Sequence, residues 1–166
     1  VGSEMCIRDS YYTVVIGSTA SLNGRSQYSV IIGNAAQAGT GNANKTITIG
    51  HQAQSNVSAE GSIAIGYQSG FSQTSGVGNT NVGYEAGYTN TTSGNNTTVG
   101  YQALKTSTSA DNTSLGYKAA TAVTTSNNGV YIGSEVALIA TTGVSNSVLI
   151  GSDVQKSSAG ASDSVI

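Results

Sequence analysis

Large aliphatic residues occur along the chain mainly in pairs that enclose one variable residue and precede a glycine. This glycine recurs nine times, at spacings of 16, 17, 16, 17, 17, 16, 17 and 18 residues: Gly17, Gly33, Gly50, Gly66, Gly83, Gly100, Gly116, Gly133 and Gly151. A marker at nearly constant spacing indicates an internal repeat, and such a repeat decides the fold. The chain therefore predicts a stack of equivalent units.

The three residues before each glycine alternate in polarity. The first and the third are aliphatic or Thr, as in Ile63 and Ile65, whereas the middle one is variable and often polar: Thr48, Ala64, Asn81, Thr98 and Ser114. Alternation with period 2 in β-branched residues is typical of strands. We predict a strand before each glycine, with its aliphatic residues facing the core. The threonines at the first position, Thr80, Thr97 and Thr113, are then expected to face inward too.

The residues that follow each glycine predict a corner and a second, weaker strand. Glycine permits positive φ angles and close backbone approach. Three residues after it stands a small or aliphatic residue: Ala20, Ala36, Ala53, Ser69, Ala86, Ala103, Ala119, Val136 and Val154. Segments rich in Asn, Ser and Gly, such as 91–95, supply turns between the units.

The length of the unit selects the architecture. Sixteen to eighteen residues are too few for a strand–helix–strand crossover, and no apolar stripe with a 3.6-residue period is present. One unit buries too little apolar surface to fold alone, so neighbouring units must stack. We predict an all-β fold, a parallel β-roll or β-helix solenoid of about nine rungs. Because its inner stripe is narrow, association into a trimer is expected to bury further surface.

Composition narrows the functional classes. The 166 residues include 22 Gly, no Pro and no Trp, and only 8% are charged. A net charge of −2 with scattered Lys and Arg gives no basic patch, so no nucleic-acid partner is predicted. A run of 18 apolar residues does not occur, so no membrane insertion is expected in this stretch.

The first ten residues do not follow the repeat. The run Met5-Cys6-Ile7-Arg8-Asp9-Ser10 resembles a translated sequencing adapter, and we interpret residues 1–10 as an artefactual segment. It contains the one cysteine, Cys6. Residues 11–166 are predicted to form a single repetitive domain. The last residues read as the opening of another unit, so we expect the domain to be truncated at both ends.

Two repeat motifs resemble known families. The runs Asn146–Gly151 and Ser62–Gly66 resemble the head repeat of YadA-like trimeric autotransporter adhesins. The middle units, such as Asn96–Ala103, are similar to repeats of bacteriophage tail fibres. The resemblance covers residues 11–166. It implies a left-handed β-roll, three chains around one axis, an extracellular or virion-tail location, and a role in attachment to a host or cell-surface receptor. The repeat here is longer than that of the adhesin heads, and three units carry Thr where the adhesin pattern has Val.

Candidate catalytic chemistry is sparse in the sequence. A serine triad needs a positioned His and carboxylate, and the one histidine, His51, occupies the repeat position that carries Tyr in other units. Glu85, Glu135 and Asp153 share the second position after the glycine, which we interpret as a solvated edge. The Gly-Gly-x-Gly-x-Asp pattern of calcium-binding rolls does not occur. We therefore predict no enzyme, no cofactor and no metal site.

A tyrosine follows the glycine in four consecutive units: Tyr67, Tyr84, Tyr101 and Tyr117. Stacked rungs would align these rings along the rod, either as a structural contact between rungs or subunits or as a strip that binds glycan. Aligned threonines also suggest the hypothesis of an ice-binding face. However, only three rungs carry them, and their position is predicted to face the core. The leading hypothesis is a non-enzymatic homotrimeric fibre segment of a phage tail fibre or bacterial adhesin. A glycan-binding or, less favoured, ice-binding module is the alternative.

Overall fold

The computed structural model describes residues 12–21, 26–39, 41–55, 59–138 and 145–155. Within these ranges the chain forms nine strands of three residues, each directly before a repeat glycine, which confirms the predicted strand positions. They are β1 (Val14–Ile16), β2 (Val30–Ile32), β3 (Ile47–Ile49), β4 (Ile63–Ile65), β5 (Thr80–Val82), β6 (Thr97–Val99), β7 (Thr113–Leu115), β8 (Val130–Ile132) and β9 (Val148–Ile150).

The nine strands form one parallel sheet in sequence order, β1 to β9. Each strand pairs residue for residue with the next, so that Ile65 lies beside Val82 and Thr97 beside Thr113. We call each strand with the turns that follow it a rung, numbered 1 to 9. The predicted all-β parallel solenoid of about nine rungs is confirmed. Its handedness and its trimeric state stay predictions, and the segment 1–10 lies outside the described residues.

The direction in which the strand residues face was predicted wrongly. In every strand the middle residue is buried, and the first and third are exposed or half-buried. Alternation with period 2 shows which residues share a face, but it does not show which face is enclosed. The interior of the roll is narrow, and most middle residues are small enough to fit it. The aliphatic residues and Thr80, Thr97 and Thr113 point outward instead.

Two of the polar middle residues, Thr48 and Ser114, find hydrogen-bond partners within their own rung, whereas the side chains of Asn81 and Thr98 make no hydrogen bond. The Ser114 hydroxyl donates to the carbonyl oxygen of Ala119 at 2.7 Å. The Thr48 hydroxyl donates to the Gln54 side-chain oxygen at 2.8 Å. A buried hydroxyl that is bonded in this way avoids most of the penalty for leaving water. A polar middle residue is therefore compatible with the core.

The second, weaker strand predicted after each glycine does not form in the described chain. The nine strands there are the ones before the glycines, and the residues after each glycine make turns with left-handed backbone. Gln102 has φ 52° and Leu104 has φ 47°. These turns still bond to the preceding rung, since Gln102 N donates to Tyr84 O and Lys118 N to Tyr101 O, each at 2.8 Å. The small residue at the third position is buried, as in Ala86, Ala103 and Ala119.

The repeat glycine makes the corner that the sequence predicted. Gly100 has φ 136°, a conformation that residues with a side chain rarely adopt. A Cβ atom placed on Gly100 would overlap the carbonyl oxygen of Gly116 in the next rung. The glycine is therefore required both by backbone conformation and by the close approach of consecutive rungs.

The interior changes character along the rod. Toward the C-terminal rungs it is an apolar cluster: Leu104, Ala119, Ala120, Val123, Tyr131, Val136, Ala137 and Leu149. In the middle rungs buried amides and hydroxyls fill it, including Gln54, Gln73, Asn81 and Thr98. Some of their polar atoms, among them both amide atoms of Asn81, make no hydrogen bond. The same backbone therefore encloses two different kinds of core.

Candidate binding surfaces

The four predicted tyrosines form a stacked column, and His51 extends it by one rung. We call His51, Tyr67, Tyr84, Tyr101 and Tyr117 the tyrosine ladder. Consecutive ring centroids lie 5.0 to 5.5 Å apart, and the ring planes agree within 15°. The alignment arises because each ring directly follows a corner glycine in a rung of in-register strands. His51 therefore serves as a ring of this column.

The tyrosines of the ladder are partly exposed, at 40 to 47% of their surface. Because the rings stack face to face, their faces cover one another, and their edges and hydroxyls are directed to the outside. At the end of the ladder the Lys118 ammonium lies 5.2 Å from the Tyr117 ring centroid. Desolvation raises the pKa of Tyr84, and the neighbouring Glu85 carboxylate adds to this effect. The Tyr84 phenol is therefore neutral at neutral pH.

A polar row runs beside the ladder, at the second position after each glycine. Glu85 accepts hydrogen bonds from Lys105 Nζ at 2.6 Å and from Gln102 Nε2 at 2.8 Å. Gln68 Nε2 donates to Gln52 Oε1 at 2.9 Å. Burial alone would raise the pKa of Glu85, but the bonds from Lys105 and Gln102 outweigh it and hold the pKa below its ordinary value. Side chains of this row therefore link adjacent rungs.

Two further aromatic pairs were missed by the sequence reasoning. Phe71 and Tyr88 stack at 5.1 Å with planes 4° apart, and Lys105 Nζ lies 5.8 Å from the Tyr88 ring centroid. Tyr12 and Tyr28 stack at 5.4 Å. The first pair stands five residues after its corner glycines, and the second stands five residues before. Comparing every position of the repeat between adjacent units would have found both.

The outer face of the sheet is a uniform apolar surface. We call the first and third residues of the nine strands the outer face; fifteen of these eighteen positions carry Val, Ile or Leu, three carry Thr, and none is charged. Several side chains are well exposed, for example Leu115 at 46% and Ile150 at 55%. Sequence reasoning missed this surface because it placed these residues in the core.

Groups for acid–base or metal chemistry are not brought together in the described ranges. His51 stacks on Tyr67 at 5.5 Å, and Glu85 is paired with Lys105. The described residues contain no group of three His, Cys, Asp or Glu side chains that could hold a metal ion. Nor do they include a helix long and apolar enough to cross a membrane.

In comparisons with known proteins, no family model matches the chain, and no curated protein or solved structure matches it significantly. The resemblance to adhesin and tail-fibre repeats therefore rests on the residues of the repeat alone.

Proposed function

We propose that this chain is a structural and adhesive fibre segment that associates with copies of itself through the outer face. In this proposal it is non-enzymatic and homotrimeric, and belongs to a phage tail fibre or a bacterial surface adhesin. Its task is to act as a rigid spacer that holds an attachment site away from a virion or cell surface. Its location is then extracellular.

The outer face is the observation that carries this proposal. A continuous column of exposed or half-buried aliphatic side chains runs along nine rungs, and no charge interrupts it. At about 4.8 Å for each rung, the column is roughly 40 Å long. Contiguous apolar patches on soluble proteins mark surfaces that another molecule covers. The outer face therefore resembles one side of a protein–protein interface whose partner is another copy of the chain.

Three copies around one axis fit this surface and agree with the resemblance to adhesin and tail-fibre repeats. Closed cyclic symmetry places the same face of each copy at the axis, so no apolar edge is left over. The solenoid axis and the symmetry axis then run in the same direction, which makes a rod. The turns on the other sides of the roll remain toward the periphery, where a host receptor would be met.

Sedimentation equilibrium of the chain beginning at Tyr11 tests the proposal. We expect a mass three times that of the single chain, which persists on dilution. A folded monomer with the strand content of the solenoid would contradict the fibre proposal. The genes that neighbour its source sequence then separate the two systems, because tail genes favour a phage fibre and a downstream membrane anchor favours an adhesin.

A second candidate function is glycan binding by the tyrosine ladder. It is favoured by the partial exposure of four aligned tyrosines beside a row of amides and carboxylates. Stacking leaves ring edges and hydroxyls for a sugar, and the amides add hydrogen bonds. Binding on a glycan array that falls at least about tenfold for Tyr84→Ala with Tyr101→Ala would support it. Equal glycan binding by the variant and the native chain would exclude the tyrosine ladder as the binding site.

The outward orientation of the strand threonines gives one argument for ice binding. Thr80, Thr97 and Thr113 are on the outer face, where ice would be met, and not in the core. Aliphatic residues occupy the same column in the other rungs, so the threonine array covers three rungs. A measurable thermal hysteresis that is lost in Thr97→Ala would favour ice binding over the fibre.

A further inference from the structure

The outer face has a weakness as a surface for self-association. Its strands are in register from β1 to β9, so every rung presents almost the same pair of aliphatic side chains. Two copies packed through this face would meet nearly the same contacts after sliding by one rung, about 4.8 Å. Register is poorly specified wherever a repeated surface is uniform. A feature that breaks the repeat would penalise such a slip and favour the symmetric alignment.

One feature of the outer face does break the repeat. The first strand residue is Thr in three consecutive rungs, and we call Thr80, Thr97 and Thr113 the threonine belt. The same column is aliphatic in the other six rungs: Val14, Val30, Ile47, Ile63, Val130 and Val148. The third strand residue stays aliphatic in all nine rungs. Thr97 is exposed and its two neighbours are half-buried, so the belt lies on the surface that a second copy would cover.

We propose that the threonine belt sets the register in which copies of this chain associate. The inference rests on the proposed function, because it requires association through the outer face. Copies that align belt to belt place hydroxyls opposite hydroxyls, and a hydroxyl both donates and accepts a hydrogen bond. The aliphatic rungs on either side then meet one another.

A slipped arrangement loses these contacts. Sliding by one rung brings a threonine at the edge of each belt opposite an aliphatic side chain of the other copy. A hydroxyl that is buried without a partner is unfavourable. A single polar position in an otherwise apolar seam fixes the register of coiled coils in the same way, with some loss of stability. The threonine belt therefore favours the arrangement in which equivalent rungs of the copies lie at the same height.

The spacing of the rungs argues that the occupant of this face is a second copy. An amphipathic helix repeats its contacts about every 5.4 Å, whereas the rungs repeat about every 4.8 Å. Over eight rung spacings the two patterns drift apart by about one whole rung. A parallel copy of the same chain keeps the same spacing along its full length and carries its own belt at the same height.

Disulfide cross-linking measures the register directly. In a Cys6→Ser background, one sample of chains carries Val82→Cys and another carries Val99→Cys, one residue in each of two adjacent rungs. The two samples are mixed, allowed to associate and oxidised, and the linked peptides are counted by mass spectrometry. Aligned copies give 82–82 and 99–99 links, and copies that have slipped by one rung give mixed 82–99 links.

We expect few mixed links in the native background and at least about ten times more in a variant with Thr80→Val, Thr97→Val and Thr113→Val. The matched control, Ser at the same three positions, keeps the hydroxyls and should keep the mixed links rare. Equal mixed links in the native and valine backgrounds would overturn the register role while the oligomer persists. A chain that sediments as a monomer in every background would overturn the self-association itself, and with it both proposals.

Discussion

The two faces of the same nine-stranded sheet follow different rules. The inner face is fully enclosed but chemically varied: Val15, Ile31, Thr48, Ala64, Asn81, Thr98, Ser114, Tyr131 and Leu149 are all at most 4% exposed. The outer face is far more exposed, yet it is almost uniformly aliphatic. An inner side chain meets only its own rung and the rungs beside it, so each rung can find a local solution. The uniformity of the outer face is what the proposed association of copies along the whole roll requires.

The local solutions of the inner face are visible in two places. The Tyr131 ring fills the interior of rung 8 within an apolar cluster that includes Leu104 and Leu149, and its hydroxyl lies 3.2 Å from the Ser126 hydroxyl. In rung 5 the small amide of Asn81 lies against Gly70 and Gly87, which have no side chains to occupy that space.

The corner glycines join the two faces. We expect their substitution to cause the largest loss of unfolding free energy. Gly100→Ala places a Cβ atom into the carbonyl oxygen of Gly116 at a φ of 136°. The strain and the overlap should lower the free energy of unfolding by at least about 3 kcal/mol. Urea unfolding followed by circular dichroism measures this loss.

Gly61→Ala is the matched control for the corner. Gly61 has φ 64°, and a Cβ atom there would meet nothing within 4 Å. The Gly61→Ala substitution should lower the unfolding free energy only by the ordinary penalty for left-handed backbone, about 1–2 kcal/mol. Equal losses at Gly61 and Gly100 would show that the close approach of consecutive rungs is unimportant.

Isoleucine occurs on both faces of the sheet, so the same substitution can be compared at a buried and at an exposed position. Ile31 is fully buried inside the roll, and Ile47, on the outer face, is 39% exposed. In a background carrying Leu115→Asp, which we expect to keep the chains apart, Ile31→Ala should cost about 2–5 kcal/mol of unfolding free energy. Ile47→Ala should cost less there, about 1–2 kcal/mol, because 39% of Ile47 is already exposed to solvent. A larger loss at Ile47 would reverse the assignment of the faces.

The sequence allowed the number of rungs, the strand positions and the corner glycines to be predicted, because each depends on spacing. The orientation of the strands could not be derived in the same way. Alternation is symmetric between inside and outside, and the more apolar set was assigned to the core. The middle residues Ile31, Tyr131 and Leu149 were a usable signal, since large side chains at that position contradict a solvent-facing column. Alignment of the tyrosines followed from register, but whether a partner covers them depends on other molecules.

The tyrosine ladder lies at the corner beside the outer face and should give an intermediate effect. Tyr84→Ala removes two stacked pairs, with Tyr67 and with Tyr101. At about 0.5–1.5 kcal/mol for each pair, the loss should be about 1–3 kcal/mol. Tyr84→Phe keeps the stack and should unfold at the same urea concentration as the native chain. A loss for Phe as large as that for Ala would mean that the hydroxyl, and not the stacking, is the stabilising group.

The smallest expected effect comes from pH. The pKa of Glu85 is held below its ordinary value of 4.5 by the Lys105 and Gln102 bonds, although burial opposes this. A carboxyl whose pKa is lowered by folding contributes stability above its unfolded pKa and loses it as pH falls through the folded one. The pair is partly covered but still in contact with water, so the advantage of the native chain over Glu85→Gln should be about 1 kcal/mol or less. Thermal unfolding from pH 6 to pH 3 should show this advantage disappearing, and a constant difference would contradict it.

The most direct test of the central claim is the mass of two charged variants in solution. Leu115→Asp places a carboxylate on the outer face, where Leu115 is 46% exposed. Thr92→Asp places the same charge on an exposed turn. Sedimentation equilibrium should give a folded monomer for Leu115→Asp and an unchanged trimer for Thr92→Asp, because burying an unpaired charge between chains is strongly unfavourable. A Leu115→Asp chain that remains trimeric would show that the outer face is not the surface that holds the copies together.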